Sequence, residues 1–385
     1  MNFEFATPRI VFGPGSAVGL GNYLKENRLG QPALVVTGRH PGRAEKVLAN
    51  FTAQGIKTIP FSVVGEPDIA TVDRGIVLAR SEKCDVVIGL GGGSVMDAAK
   101  AIAVMLTNEG ELLDYLEVIG RGRALARPGM PFIAVPTTAG TGAEVTRNSV
   151  LASPEHQVKV SLRSPYMLAQ VAVIDPELTY DLPPALTAST GLDALTQVIE
   201  PYVSGRATPF TDRFCEDGIW RVARSLREAV FNGKNQAARA DMALASLYGG
   251  LALSNAGLGA VHGFAGPIGG SFPAPHGAVC AALLPHVMAT NIKALRERDP
   301  QHWALKRYYR IAQMLSGNPH ATTDVGVEWV QKLVAELPVP KLREFGLREQ
   351  HVADLVAKAI KASSMKANPI VLTPEELAAT LRLAL

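Results

Sequence analysis

The sequence has 385 residues, of which 47% are hydrophobic and 19% charged, and its formal net charge is +3 at pH 7. This length predicts two domains or, as the alternative, three, and the composition is that of a globular protein with ample material for buried cores. The basic residues are spread along the chain, which argues against nucleic acid as the main partner. No segment reaches about 18 uninterrupted apolar residues, so we expect a cytoplasmic protein without a membrane partner.

The first half of the chain alternates segments rich in Val and Ile with segments of helical periodicity. The segments predicted to be strands are 33–37, 56–64, 85–90, 131–138, 158–162 and 171–176. The segments predicted to be helices are 43–55, 71–84 and 94–108. Such alternation predicts a parallel, Rossmann-like sheet with helices on both faces.

A short stretch with three prolines, "DPELTYDLPPAL", marks the predicted domain boundary near residue 183. Beyond it the sequence is rich in Ala and Leu and has helical periodicity nearly to its end. We therefore expect an α/β dinucleotide-binding domain over residues 1–183 and an all-α domain over residues 184–385.

The segment "GLGGGS" follows a predicted strand and opens a predicted helix. Gly91, Gly92 and Gly93 allow close approach of a phosphate, and the helix N-terminus attracts its charge. The spacing differs from GxGxxG because Ser94 occupies the third glycine position. A tight turn closed by a Ser94/Asp97 capping box is an equally good interpretation.

A second loop, "VPTTAGTGAEVT", follows the strand predicted at 131–138 and contains Thr137, Thr138 and Thr141. Small and hydroxyl residues at the carboxyl end of a parallel strand suit a nucleotide, which binds beyond such ends. A polar loop is the alternative. Two such loops after strands of one sheet favour nucleotide binding.

Candidate metal ligands occur in the second half. In "TGLDALTQVIEPY", Asp193 and Gln197 are four residues apart and share a helix face. His262 and His276 each precede a glycine, and His276 follows two prolines at a predicted helix start. These side chains form a mixed oxygen and nitrogen ligand set if the helices bring them together, whereas isolated histidines on apolar helices are usually core residues.

The three cysteines, Cys84, Cys215 and Cys280, show no CxxC spacing. We expect neither disulfides nor a thiolate zinc site, but buried thiols in a reducing compartment.

Several motifs together resemble the iron-containing, group III alcohol dehydrogenases: "GGGSVMDAAK", "PTTAGTGAEVT", "TGLDALTQVIEPYVS", "HGFAGPIGG", "PHGAVCAALLPHVM" and "NPIVLTPEELAATLRLAL". The resemblance implies the architecture shared with dehydroquinate synthase. It also implies an N-terminal domain that binds NAD or NADP, a helical domain that holds one divalent metal, iron or zinc, and commonly a homodimer.

The resemblance also implies roles for individual residues. It places Gly92, Gly93 and Ser94 at the cofactor diphosphate, and it indicates that Lys159 reaches the cofactor. The threonines near the adenine side would be Thr137, Thr138 and Thr141. The metal ligands would be Asp193, residue 197, His262 and His276.

The sequence departs from the family pattern at two positions. Gln197 and Gly266 stand where the family usually has histidines, the second of which is often assigned to proton transfer. An amide oxygen is a harder and weaker ligand than imidazole and suits Mg, Ca or Mn better than Fe or Zn. We therefore expect a weakened metal site, and no catalytic proton donor is assigned.

The function implied is that of a nicotinamide-dependent alcohol dehydrogenase or aldehyde reductase acting on a small molecule. Alternatives are a maleylacetate reductase-like oxidoreductase and a nucleotide-binding protein that has lost catalysis. Gly38 follows the strand at 33–37, where NAD-selective members tend to have Asp, and Arg39 and Arg43 lie nearby. This pattern predicts a preference for NADP.

Overall fold

The structure, a computed structural model, describes residues 4–39, 41–156 and 158–385. The chain divides into two compact units. The α/β unit consists of Ala6–Thr138 and Gly142–Asp181, and the helical unit includes Ala139–Thr141 and Leu182–Leu385. The short segment Ala139–Thr141, in the middle of the threonine-rich loop, is thus counted with the helical unit.

The α/β unit contains eight strands among its described residues. They are β1 (Arg9–Phe12), β2 (Ala33–Thr37), β3 (Thr58–Ser62), β4 (Val86–Gly91), β5 (Phe132–Pro136), β6 (Asn148–Ser153), β7 (Val158–Arg163) and β8 (Val171–Ile174). Six form a parallel sheet in the order β1-β8-β5-β4-β2-β3, and β6 and β7 form an antiparallel pair. The helices of this unit are α1 (Leu20–Glu26), α2 (Glu45–Ala53), α3 (Ile69–Ser81), α4 (Gly93–Met105) and α5 (Leu112–Tyr115).

The predicted fold class is confirmed, and the structure adds two strands. Strands β2, β4, β5 and β8 are buried along their whole length, which explains their continuous apolar sequences. Strands β1 and β6 were not predicted from the sequence. β1 has four residues at the edge of the sheet and only partial burial, so its sequence carries little apolar signal.

The helical unit contains no strand among its described residues, as predicted. Its helices are α6 (Pro184–Val203), α7 (Pro209–Phe231), α8 (Gln236–Ala256), α9 (Ala260–Ser271), α10 (His276–Arg298), α11 (Trp303–Ser316), α12 (Thr323–Glu336), α13 (Val352–Lys361) and α14 (Pro374–Leu383). Helix α6 lies in the middle of this unit, packed against α7, α8 and α10, and sixteen of its residues are buried.

Among the described residues, α10 is long and apolar enough to cross a membrane by length and composition alone, and α8 with α9 would qualify only as one span bent by 99°. However, 72% of the most apolar window of α10 is buried inside the protein. That burial is typical of a core helix, because other helices already cover its apolar side chains.

Candidate functional site

Helix α6 places a carboxylate in the buried interior of the helical unit. Only 1% of Asp193 is exposed to solvent, and its Oδ1 atom has no hydrogen-bond partner among the described residues. Leaving a charged oxygen buried without a hydrogen bond is costly. Asp193 therefore marks a place where a cation or donor would be stabilised.

Helix α9 positions His262 through contacts made at its N-terminus. The first N–H groups of a helix lack intrahelical acceptors. Here the N–H of Ala260 donates to Asn368 Oδ1 at 3.1 Å, and that of Val261 donates to Glu200 Oε1 at 2.7 Å. The other oxygen of Glu200 lies 2.6 Å from His262 Nδ1. The carboxylate thus fixes the imidazole and leaves Nε2 facing Asp193.

Helix α10 begins at His276, where the sequence predicted a helix start after two prolines. One third of the His276 side chain is exposed. Cys280 follows one turn later and is fully buried. Residues at i and i+4 lie on the same helix face, so the thiol and the imidazole point in the same direction.

These three helices bring four possible ligand atoms together. Asp193 Oδ1 is 3.4 Å from His262 Nε2 and 3.6 Å from His276 Nε2. Cys280 Sγ is 3.9 Å from His262 Nε2 and 3.7 Å from His276 Nε2. All four atoms lie within 4.8 Å of one another. The cluster combines one carboxylate, two imidazoles and one thiol.

The ionisation of the cluster reflects this proximity. Burial raises the pKa of Asp193, but the charges of His276 and His262 outweigh it, so the net shift is downward. Burial lowers the pKa of His276, whereas Cys280 and Asp193 raise it, with a net result of about 9. The pKa of His262 is raised well above its usual value, because Cys280 and Glu200 outweigh burial. The cluster therefore stabilises positive charge on its two imidazoles.

Gln197 is held beside this cluster by a backbone contact. Its Nε2 donates to the carbonyl of Gly140 at 3.1 Å, while its buried Oε1 has no hydrogen-bond partner among the described residues. The amide is therefore anchored on one side by the loop at Gly140, and the role of Gln197 as a metal ligand stays a prediction.

Gly266 lies on α9, one turn after His262. A Cβ atom built at this position meets no atom within 4 Å. The position where the family usually has a second histidine is thus open space next to the helix, and a larger side chain fits there.

Residues of the predicted nucleotide site lie at the carboxyl ends of three neighbouring strands, β5, β4 and β2. Gly38 follows β2, Gly91 ends β4, and Thr137 follows β5, with its N–H donating to the Gly91 carbonyl at 2.9 Å. In the sheet, β3 lies on one side of β2 and β4 lies on the other, so the order in which successive strands are placed changes direction at β2. Ligands of parallel α/β sheets bind at such a change of direction.

The glycine-rich turn shows an open helix N-terminus. Helix α4 starts at Gly93 with Gly92 as its N-cap, and no side chain caps it. The Ser94/Asp97 capping box, which was the alternative interpretation, does not form. Thr138 packs against Gly92, since a Cβ there would lie 3.3 Å from the Thr138 side chain. Backbone N–H groups at this end suit an anion.

Asp97, which follows the glycine-rich segment, and Lys159, predicted to reach the cofactor, make ion pairs inside the α/β unit. Asp97 lies 3.5 Å from the buried Lys100, and Lys159 lies 3.2 Å from Glu66. Arg39 is exposed beside Gly38. Arg43 is partly buried, and its Nη2 donates to the Asp181 carbonyl at 3.4 Å.

Two residues in or beside the metal-ligand cluster, Glu200 and Cys280, were not predicted from the sequence as site residues. Glu200 belongs to the same quoted segment as Asp193, seven residues later, which is the same helix face. Cys280 follows His276 by four residues. The prediction that the cysteines are buried thiols is confirmed, but Cys280 also lies within the ligand cluster, contrary to the expectation that no thiol does. Spacing on a common helix was the available signal in both cases.

Comparisons with known proteins give the same protein family for both halves of the chain. The profile described as iron-containing alcohol dehydrogenase matches residues 7–176, and that of the C-terminal part of the Fe-containing family matches residues 187–385. Long-chain-alcohol dehydrogenase 1 of Geobacillus thermodenitrificans is 38% identical over 387 residues, covering 96% of this chain and 95% of that protein. The 1,3-propanediol dehydrogenase of Citrobacter freundii is 35% identical over 395 residues, covering 99% and 98%. A crystal structure of 1,3-propanediol oxidoreductase aligns with a TM-score of 0.92 at 34% identity, covering 100% of both chains.

Proposed function

The chain belongs to the iron-containing alcohol dehydrogenase family and is an oxidoreductase of alcohols, and from this premise we propose how its own residues perform the reaction. The helical unit holds a divalent metal at Asp193, His262 and His276, with the side chain of residue 197 beside them. The α/β unit holds the nicotinamide cofactor. The substrate is a small alcohol or the corresponding aldehyde.

The observation that carries this proposal is the buried Asp193 oxygen. It has no hydrogen-bond partner among the described residues, and it faces the Nε2 atoms of two imidazoles at 3.4 and 3.6 Å. Two histidines and one carboxylate are a sufficient ligand set for a divalent transition metal. The residues present therefore fit the metal that the family implies.

A bound metal would supply Lewis-acid chemistry here, stabilising the negative charge that develops on a substrate oxygen. The protein contributes orientation and charge. Asp193 provides negative charge from a buried position, and Glu200 holds the His262 ring in one orientation. Hydride exchange itself is the chemistry of the nicotinamide.

The proposed cofactor site lies at the strand ends of the α/β unit. The open N-terminus of α4 receives the diphosphate through the backbone at Gly92, Gly93 and Ser94. The remaining residues that we assign to cofactor binding are Gly38, Arg39, Gly91, Asp97, Thr137, Thr138, Thr141 and Lys159. Gly38 lacks the carboxylate that would repel a 2′-phosphate, and Arg39 is exposed beside it, so we propose NADP(H) as the preferred cofactor.

We also propose a cytoplasmic homodimer. The three free, buried cysteines suit a reducing compartment, and the dimer is the assembly that the family resemblance favours. Sedimentation of the purified protein at several concentrations tests the dimer, and a monomer at all concentrations contradicts it.

The proposed function is tested with full-length protein stripped of metal by a chelator and reloaded with Fe²⁺ or Zn²⁺. We expect reduction of simple aldehydes by reduced nicotinamide only after metal is restored, and a loss of metal binding in Asp193→Ala. The exposed Asp354→Ala on α13 is the control, for which metal binding and turnover stay unchanged. Unaltered metal binding in Asp193→Ala refutes the proposed site.

A further inference from the structure

Cys280 lies on α10 with its sulfur in the same cluster as the three metal ligands proposed above. We propose that the Cys280 thiolate is the fourth protein ligand of the metal, replacing the imidazole that the family resemblance places at residue 197. This inference rests on the proposed metal site and specifies its chemistry.

The separations between the ligand atoms support this assignment. In a tetrahedral zinc site with Zn–N and Zn–O bonds of about 2.05 Å and a Zn–S bond of about 2.3 Å, neighbouring N and O atoms are about 3.3 Å apart and N and S about 3.6 Å. Asp193 Oδ1 lies 3.4 and 3.6 Å from the two Nε2 atoms, and Cys280 Sγ lies 3.7 and 3.9 Å from them. These four separations are close to those expected between oxygen, nitrogen and sulfur ligands of one zinc ion, and a substrate oxygen would occupy a further coordination position.

The balance of charge also favours the thiolate. Asp193 and Cys280 are 1% and 0% exposed, so the two groups that carry negative charge lie on the buried side of the cluster. A carboxylate and a thiolate together neutralise a divalent ion, whereas a carboxylate and three imidazoles leave one positive charge. On metal binding the thiol proton is released to solvent, and the sulfur–metal bond forms in its place. Thiolate selects Zn²⁺ over the oxygen-preferring Mg²⁺ and Ca²⁺.

Gln197 is the competing candidate for the fourth position, and its surroundings favour another role. Its Nε2 is used by the Gly140 carbonyl, and its Cβ is packed within 3.0 Å of the position that a side chain on Gly249 would occupy. The amide oxygen is also a weaker ligand for zinc than a thiolate. Gln197 therefore anchors the loop at Gly140, while the cysteine one turn beyond His276 faces the metal.

X-ray absorption at the zinc edge tests the inference on the stripped, full-length protein reloaded with Zn²⁺ without oxygen. We expect one sulfur ligand at about 2.3 Å in the wild type. The sulfur signal is lost in Cys280→Ser and kept in Gln197→Leu. Cys84→Ser is the matched control, because it removes a buried thiol far along the chain in the α/β unit, and it also keeps the signal.

Cobalt substitution and zinc titration give independent readouts. The Co²⁺ protein should show a near-ultraviolet sulfur-to-metal charge-transfer band that Cys280→Ser lacks. Competition with a chelating dye should show zinc affinity at least tenfold weaker in Cys280→Ser and nearly unchanged in Gln197→Leu and Cys84→Ser.

The outcomes separate the two proposals. A wild-type protein that binds zinc through nitrogen and oxygen alone overturns the role of Cys280 and leaves the metal site in place. A wild-type protein that binds no metal overturns both. Because the spectrum of the wild type decides the question, the inference stays testable even if Cys280→Ser fails to fold.

Discussion

Glu200 determines how His262 presents its ring. Its two oxygens contact His262 Nδ1 at 2.6 Å and the Val261 N–H at 2.7 Å, so one carboxylate orients both the ring and the helix that carries it. In Glu200→Gln, the side chain loses its negative charge. Its NH2 group must also face either His262 Nδ1 or the Val261 N–H, and an NH2 group cannot accept a hydrogen bond. We expect zinc affinity to fall roughly 10–100-fold, the usual effect of removing a partner that orients a ligand.

Competition titration with a chelating dye measures this loss. Glu216→Gln is the matched control, because Glu216 is also on a helix of the same unit but accepts from Tyr202 and lies outside the ligand cluster. Zinc affinity equal to that of the wild type in Glu200→Gln would show that the carboxylate has no part in metal binding.

Gly38 offers a test of cofactor choice by a single side chain. A Cβ at this position has only one neighbour within 4 Å, Val95 at 3.9 Å, so Gly38→Asp fits without a clash. The new carboxylate repels a 2′-phosphate and accepts from a ribose 2′-hydroxyl. We expect kcat/KM for NADPH relative to NADH to fall at least tenfold, about 1.4 kcal/mol.

The control for this experiment is Gly38→Asn, which has nearly the same size without the charge and should change the ratio much less. A wild-type enzyme that clearly prefers NADH contradicts the proposed NADP(H) preference before any variant is made.

The sequence predicts which site residues lie close together only when they are on the same helix. Asp193 and Gln197 are four residues apart, so their shared face followed from helix geometry. The approach of Asp193 to His262 and His276 depends on how α6, α9 and α10 cross, and no local pattern encodes that. The same holds for Cys280, which becomes a possible ligand only because α10 packs on α6.

At the level of elements, Gly277 allows the backbones of α10 and α6 to approach each other closely. A Cβ on Gly277 would lie 2.3 Å from the Ser189 carbonyl oxygen, a backbone atom that cannot rotate away. Gly277→Ala therefore forces the two helices apart directly beside His276. We expect a destabilisation of about 1–3 kcal/mol and weaker zinc binding.

Denaturant unfolding followed by tryptophan fluorescence measures this effect, with a chelator present so that metal binding does not contribute. Gly266→Ala on α9 is the control, since a Cβ there meets nothing within 4 Å. It should leave stability unchanged or raise it by about 0.5–1 kcal/mol, because alanine is the better helix former. Equal stability of Gly277→Ala and the wild type would contradict the close contact.

The elements themselves were largely predictable where burial leaves a clear pattern. Strands β2, β4 and β5 are continuous apolar segments, and α4 has strong helical periodicity after four glycines. In contrast, β1 depends on pairing with β8, more than 150 residues away in sequence. Its existence is decided by the assembled sheet and not by its own four residues.

At the scale of the whole molecule, buried charges couple stability to pH. Lys100 is 1% exposed and donates to the Ala143 carbonyl and Thr146 Oγ1, both at 2.9 Å, and it lies next to Asp97. Glu144 is buried beside it. Burial raises the pKa of Glu144 from 4.5 to about 7, although a backbone hydrogen bond and Lys100 act in the opposite direction.

The sign of the effect on stability follows from this shift. The folded state binds the Glu144 proton more tightly than the unfolded state, so between pH 4.5 and about 7 this residue stabilises less as pH rises. Burial raises the pKa of Asp97 to about 6, which acts in the same direction. Glu144→Gln is neutral throughout and removes the contribution of Glu144 alone.

We therefore expect the stability of Glu144→Gln relative to the wild type to increase with pH across this window, by up to about 1.4 kcal/mol per pH unit. All three tryptophans, Trp220, Trp303 and Trp329, lie in the helical unit, so native-state hydrogen exchange of β4 and β5 is the better measurement. The exposed Glu26→Gln is the control and should give a much flatter difference. A difference between Glu144→Gln and the wild type that stays constant from pH 5 to pH 8 would show that Glu144 titrates alike in the folded and unfolded chains, because a constant offset carries no change in bound protons.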